Sequence, residues 1–246
     1  MRNNFQKEIL SDKKTYLLSF PFLNRYGYLN CGMILKNKGD PQRTLLELLT
    51  KDQKQRSGYP KLVIPKQRHT RKVLPISSED DLKLLEKSCF DGFLTKLKNV
   101  YLCIQVADCI PLFGIAPEKK MVGLLHVGWR GLVSGILTEF LSKVKKEFKV
   151  APQDLMLIMG PHIRGCCYEV SCGVAALFDR DTLICDKKRI KVNLEKALLK
   201  KLRIAGVKEK NIFISGECTF CHPEFYFSFR REKDKFKRML AFIGMN

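Results

Sequence analysis

A mixed α/β fold of the α+β type, with mixed sheets, is predicted by three observations in this chain of 246 residues. First, residues 100–106, 110–116 and 121–125 are apolar runs bounded by turn residues, with Pro117-Glu118-Lys119-Lys120 between the last two. Runs of this length read as strands buried on both faces. Second, these strands follow one another directly, whereas helical spacing recurs elsewhere, so strands and helices alternate irregularly. A doubly wound nucleotide fold needs regular alternation. Third, neither a Gly-x-Gly-x-x-Gly turn nor a phosphate-binding P-loop is present.

The elements follow in chain order. Tyr16-Leu17-Leu18-Ser19-Phe20 and residues 28–33 predict strands, with Asn30-Cys31-Gly32 a strand end or turn. Gly39-Asp40-Pro41 is a loop signal, and residues 45–49 predict a helix fading into the polar stretch 51–57. Leu62-Val63-Ile64 predicts a short strand stopped by Pro65, and a polar stretch from Lys66 to Arg71 leads into Val73-Leu74. Ser78 is placed to cap a helix over 79–87, with Asp81 as its capping-box partner. Asp91-Gly92 reads as a turn before the central strands. Gly128-Trp129-Arg130-Gly131 launches one helix in which Leu132, Val133, Ile136, Leu137, Phe140, Leu141, Val144 and Phe148 recur at helical spacing. Residues 155–159 predict a buried strand ended by Gly160-Pro161. Asn193 caps a helix over 194–205 that Gly206 stops, and 211–215 and 225–229 predict strands. With no internal repeat and no long linker, residues 1–246 read as a single domain.

Composition narrows the function classes. No apolar run reaches the roughly 18 residues a membrane helix needs. The polar start at 1–14 lacks the apolar centre of a signal peptide, so a cytoplasmic protein is expected. Ten cysteines in such a protein read as buried small residues or site residues rather than disulfide staples. The net charge of +20 comes from scattered lysines. It reads as a solvated surface that steers a small anionic substrate, in preference to a nucleic-acid interface.

The chemistry concentrates at the ends of the central strands. His69, Cys109 and His126 offer two imidazoles and a thiolate, a donor set that suits zinc and leaves a position for water or an anion. Spacing alone equally allows packed polar residues, or a Cys109–His126 nucleophilic pair with Asp108 or another acid orienting the imidazole. Cys218-Thr219-Phe220-Cys221-His222 matches a c-type haem attachment pattern, or half of a zinc site whose other half is not obvious. The adjacent Cys166-Cys167 pair is poorly suited to gripping one metal, so local structure is the favoured reading of these thiols. Phe227-Ser228-Phe229-Arg230-Arg231 is either a strand end with solvated arginines or an anion clamp.

Taken in order, several of these pieces resemble one family. They are Asn30-Cys31-Gly32 with Gly39-Asp40, Gln67-Arg68-His69, Asp91-Gly92-Phe93-Leu94-Thr95 and Ala107-Asp108-Cys109-Ile110-Pro111. They continue with His126-Val127-Gly128-Trp129-Arg130-Gly131, Gly160-Pro161-His162-Ile163, Cys166-Cys167-Tyr168-Glu169-Val170 and the Cys218 to Arg231 motifs. The set resembles the YfiH (DUF152) family, long labelled laccase-like. The resemblance implies an α/β/β/α-type sandwich. It also implies a purine nucleoside phosphorylase acting on adenosine, inosine, guanosine and methylthioadenosine, with adenosine deaminase activity. It carries zinc onto His69, Cys109 and His126, with Cys109, His126 and Asp108 as catalytic candidates. Asn30, Arg71 and Arg130 are candidates for holding nucleoside and phosphate, Arg130 alternatively bracing its helix. The rival readings are a Cys–His amidase acting on cell-wall precursors and a copper-dependent polyphenol oxidase. The expected partners are small molecules, with no nucleic acid and no membrane, and the assembly is either monomer or homodimer. The chain departs from the family pattern at Val127, where Ala is usual, and at Arg68 and Thr70, which flank the histidine.

Overall fold

The computed structural model describes residues 4–10, 15–37, 39–50, 59–186 and 189–246, so the polar stretch 51–57 lies outside the described residues. The first elements are β1 (Gln6–Ile9), β2 (Tyr16–Ser19), β3 (Leu29–Ile34), α1 (Pro41–Thr50), β4 (Lys61–Val63), β5 (Val73–Ile76) and α2 (Asp80–Lys87). The central block is β6 (Gly92–Thr95), β7 (Val100–Val106), β8 (Ile110–Ala116), β9 (Met121–Val127), α3 (Trp129–Ser134) and α4 (Ile136–Phe148). There follow β10 (Met156–Met159), β11 (Glu169–Val170), α5 (Cys172–Ala175), β12 (Leu183–Asp186), β13 (Arg189–Val192) and α6 (Leu194–Ile204). The chain closes with β14 (Ile212–Ile214), α7 (Phe229–Glu232) and β15 (Met239–Met245).

Two six-stranded mixed sheets carry the fold, in the orders β1-β2-β3-β15-β7-β4 and β14-β10-β8-β9-β6-β5, with a small third sheet β11-β13-β12. Strand parity builds the layers, because successive side chains point to opposite faces. On β7, Leu102, Ile104 and Val106 enter the core between the sheets, while Tyr101 and Cys103 pack outward with Leu45 and Leu49 of α1. On β9, Val122 and Leu124 face the same inter-sheet core, while Met121 and Leu125 lie under Leu137, Phe140 and Val144 of α4. Helix, sheet, sheet, helix is the resulting order, the expected α/β/β/α sandwich of mixed sheets. Gly114 and Gly123 are cross-strand partners under the Phe140 ring, and a Cβ on either would come within 2.7 Å of it. Among the described residues, no helix is long and apolar enough to cross a membrane.

Several sequence expectations need correction. The helix after Gly128 is two helices, because Gly135 adopts φ +95° between α3 and α4. Residues 225–229 form no strand: Ser228 caps α7 by accepting from the Arg231 amide. Asn30-Cys31-Gly32 lies within β3 and is no turn. The central strand β15 was not foreseen, although it joins β3 to β7. The Asn193 cap is present, accepting from the Lys196 amide. At α2 only Asp81 plays its capping-box part, accepting from the amides of Ser77 and Ser78.

Candidate metal centre and substrate cavity

Two connections cross from the first sheet to the second at the same rim. One links β4 to β5 and carries His69; the other, Ala107-Asp108-Cys109, links β7 to β8. Gln67 ties them together, donating to the Gln105 carbonyl at 2.9 Å and accepting from its amide at 2.7 Å. His126 comes from β9, where its neighbour across the ladder is Pro111. It shares parity with Val122 and Leu124, so its ring meets the same rim. The donor atoms of His69, Cys109 and His126 therefore lie within 4.8 Å of one another. Cys109 Sγ is 3.7 Å from His69 Nε2, and the two imidazole centroids are 4.7 Å apart.

A buried carboxylate that sequence reasoning took for a turn residue organises this cluster. Asp91 is 0% exposed. Its Oδ1 accepts from the His69 amide at 3.0 Å and from His126 Nδ1 at 2.8 Å. Its Oδ2 accepts from the amides of Arg68 and Thr70 and from the Thr70 hydroxyl, at 3.2, 2.7 and 2.9 Å. Three successive amides turned to one anion require the left-handed backbone seen at His69, φ 56°. Because an ionised carboxylate only accepts, Nδ1 of His126 carries the proton and Nε2 is left for a metal. Burial pushes the Asp91 carboxyl up, but the bonds from His126 and the Thr70 and Arg68 amides outweigh it and hold it below the ordinary carboxylate value. Thr70 adds one of these bonds through its hydroxyl.

The cluster is electrostatically coupled. Burial opposes a charged Cys109, yet His126 and then His69 bring the thiol down to about 6. Burial likewise opposes a charged His126, yet Cys109 and Asp91 raise it to about 9. Gly128 leaves the room these groups occupy: a Cβ there would come within 2.9 Å of both Cys109 Sγ and His69 Cδ2. Gly128→Ala is expected to cost about 1–3 kcal/mol through overpacking. An unchanged urea midpoint would contradict the close approach.

The triad opens into a cavity of about 640 Å³. Lys66, Arg68, Arg130, Arg230 and Arg238 supply its cations, and Trp129, Tyr168 and Phe229 its rings. A second hollow of about 470 Å³ shares Trp129, Arg130, Tyr168 and Arg230. Ligand sites fall in this range of roughly 300–1,000 Å³. Arg130 lies over the Trp129 ring at 4.3 Å and lines both hollows.

The other expected residues fall as follows. Asp108 lines the cavity but does not touch His126. It accepts from the Thr219 hydroxyl at 2.6 Å and the Arg230 amide at 2.7 Å, anchoring the wall that carries α7. Asp91 holds the imidazole in its place. Asn30 bonds Tyr101 and Asn246 where β3 pairs with the end of β15, at the opposite end of β7 from the triad. Arg71 is exposed and outside the residues lining the cavity. The geometry thus brings Arg130 to the cavity and leaves Asn30 and Arg71 away from it. Of the Arg230-Arg231 pair, Arg231 is spent on the carbonyls of Thr219, Phe220 and Tyr226, while Arg230 faces the cavity beside Tyr168. Sequence reasoning also missed a four-thiol cluster of Cys166, Cys167, Cys218 and Cys221, whose sulfurs lie within 4.8 Å of one another.

Known proteins resemble this chain throughout. It is 35% identical over 187 residues to the purine nucleoside phosphorylase of Aquifex aeolicus, covering 76% of this chain and 84% of that protein. It is 35% identical over 162 residues to purine nucleoside phosphorylase YlmD of Bacillus subtilis, a match spanning 58% of that protein's own length and 63% of this chain. The crystal structure of Bacillus licheniformis hypothetical protein YfiH superposes with a TM-score of 0.83 at 23% identity, over 99% of this chain and 100% of that one. YlmD from Geobacillus stearothermophilus superposes with a TM-score of 0.82 at 25% identity, over 99% of both chains. Residues 23–246 match the family model described as multi-copper polyphenol oxidoreductase laccase, and the chain belongs to that family, the YfiH-like proteins.

Proposed function

We propose that this chain is a zinc-dependent purine nucleoside phosphorylase that also deaminates adenosine. The observation that carries the reading is the convergence of His69, Cys109 and His126 at the edge of an arginine-lined cavity of nucleoside size. The names of the relatives at 35% identity support the substrate class. The donor set fits zinc: one thiolate, one imidazole fixed by a carboxylate and one exposed imidazole, with Gly128 leaving space beside them. When bound, zinc supplies Lewis acidity to an oxygen beside the purine. A multi-copper centre would need many more imidazoles than the four histidines here, of which only His69 and His126 meet.

In phosphorolysis a phosphate oxygen bonds to C1′ of the ribose as the C1′–N9 bond breaks, and the electron pair leaves with the base, which is then protonated. Positive charge develops on the sugar, so phosphate must be held close to it. Arg130 and Arg230 are proposed to hold phosphate, since guanidinium suits bidentate contact with its oxygens. Tyr168, Trp129 and Phe229 give the purine faces to stack on. Asp108 is a positioning residue, acting through Thr219 and the Arg230 amide.

Purified protein incubated with inosine or adenosine is expected to release free base and ribose 1-phosphate only when phosphate is present. Adenosine alone is expected to yield inosine and ammonia. No turnover of any of the four nucleosides would remove the proposal.

The same geometry allows a second reading. Cys109 Sγ lies 3.7 Å from His69 Nε2 and within 4.8 Å of the His126 donor atom, His126 is fixed by Asp91, and, against burial, both imidazoles lower the thiol, which is the arrangement of a Cys–His hydrolase, the amidase alternative. Such an enzyme would work without metal and be silenced by alkylation.

A further inference from the structure

Four thiols outside the proposed reaction centre lie together. The sulfurs of Cys166, Cys167, Cys218 and Cys221 are all within 4.8 Å of one another, with Cys167 and Cys166 at 3.3 and 3.9 Å from Cys221. Around one tetrahedral zinc with Zn–S bonds of about 2.3 Å, sulfurs sit about 3.8 Å apart. The observed separations bracket that value, and they are far from the roughly 2.05 Å of a disulfide.

The backbone holds the thiols in two facing turns. The Cys221 amide donates to the Cys218 carbonyl at 3.2 Å, closing a Cys-x-x-Cys turn. The amides of Cys167 and Tyr168 both donate to the Arg164 carbonyl at 2.9 Å, which folds the adjacent-cysteine turn so that both sulfurs reach the same point. A bridge between His162 and Cys218, with the Thr219 amide donating to the His162 carbonyl at 3.0 Å, clamps the two turns side by side. The Arg164 amide donates to Cys218 Sγ at 3.4 Å, the kind of donor that steadies a thiolate.

Charge points the same way. Four thiolates around a divalent ion carry a net −2, which is costly unless offset nearby. Lys191 bonds the Cys166 carbonyl at 2.9 Å, and Arg231 bonds the carbonyls of Thr219 and Phe220 at 2.8 Å. Arg164 bonds the Gly216 carbonyl at 2.7 Å, and it also pairs with Glu195 at 3.0 Å as Arg231 does with Glu232 at 2.9 Å, so the offset these two lend is partial. Each cation is fixed to one of the two cysteine turns or the residues leading into it.

We propose that Cys166, Cys167, Cys218 and Cys221 bind one zinc ion as a closed four-thiolate structural site, separate from the His69–Cys109–His126 centre. The clip fixes the cavity wall. Tyr168 follows Cys167 directly, Arg230 bonds the Glu169 carbonyl, and Thr219, between the paired cysteines, bonds Asp108.

The test needs no turnover assay, so its failure is distinct from failure of the phosphorylase reading. Zinc per chain is measured by elemental analysis on full-length protein. The protein is purified reduced as wild type, as the Cys109→Ser/His126→Ala double variant and as the Cys166→Ser/Cys221→Ser double variant. Each double variant is expected to hold about one ion fewer than the wild type. The Cys109→Ser/His126→Ala variant is also loaded with cobalt(II). A strong thiolate-to-cobalt charge-transfer band with the intense visible envelope of a tetrahedral four-sulfur site is expected, and this reading stands even if the cysteine variant does not fold. A cobalt spectrum without thiolate character overturns the proposal. So does wild-type zinc content in a folded Cys166→Ser/Cys221→Ser variant, or a Cys167–Cys221 disulfide in place of metal.

Discussion

Cys109→Ser is expected to strip zinc from the proposed His69–Cys109–His126 centre and to abolish phosphate-dependent nucleoside cleavage, whereas Cys103→Ser is expected to leave both intact. The contrast follows from charge and placement. Cys109 is the only donor of the three able to carry a formal negative charge, so it would bring a bound zinc to net +1 and favour an anionic substrate beside it. A serine hydroxyl offers no comparable anion at neutral pH. Loss of a direct ligand is expected to exceed the roughly 10–100-fold penalty of losing an outer-shell partner. Cys103 lies fully buried on the opposite face of β7, against α1, where burial pushes its thiol well above the ordinary range. His126→Ala is expected to empty the centre as Cys109→Ser does, with the fold retained, because β9 is held by Val122, Leu124, Met121 and Leu125. Zinc per chain should fall by about one ion in either variant while the circular dichroism spectrum is unchanged. A Cys109→Ser protein with wild-type zinc would end the assignment.

Asp91→Ala is expected to lower stability by about 3–5 kcal/mol, as when one partner of a buried charged pair is removed. Triad zinc affinity should fall roughly 10–100-fold with it. The carboxylate accepts five hydrogen bonds, and without it the amides of Arg68, His69 and Thr70 face no acceptor. The left-handed backbone at His69 would then stand without its counter-anion. Asp91→Asn is not conservative here. Both oxygens face donors, so the amide nitrogen meets an N–H whichever way it is turned. Urea denaturation of both variants, with zinc competition measured by a chelating dye, checks this. Midpoints equal to wild type would show that Asp91 is not the organiser of the centre.

Much of this architecture was legible in the sequence because the signals were local. The apolar runs of β7, β8 and β9 and the Asn193 cap each rest on neighbouring residues. What escaped depended on partners distant in sequence. Asp91-Gly92 has the composition of a turn, and only the arrival of His126 and the 68–70 loop makes it a buried acceptor. Asp108 was offered as the acid behind the imidazole because it adjoins Cys109. Its carboxylate instead turns to Thr219 and Arg230, brought in by the last part of the chain. Alternation over Phe227 to Phe229 mimicked a strand, but Ser228 capping gave the chain a competing helical start. Adjacent Cys166 and Cys167 read as poorly suited to gripping one metal, because the turn at Arg164 and the facing Cys218–Cys221 turn that bring the four sulfurs within 4.8 Å of one another are not visible in the motif itself. Within the motifs that carried the resemblance, the donor set of the centre and Arg130 could be named, but that Arg71 lies outside the cavity lining and that Arg230, not Arg231, faces it depended on the fold.

The His69–Cys109–His126 centre is proposed to work through zinc in phosphate-dependent cleavage of purine nucleosides. The most direct measurement is a zinc-removal and re-addition series, with release of hypoxanthine from inosine followed at saturating phosphate. Protein stripped by a chelator under mild conditions should lose cleavage, and activity should return in proportion to zinc rebound at the centre. Full cleavage in the stripped protein, blocked only by alkylation of Cys109, would contradict the account and assign the centre to thiol chemistry.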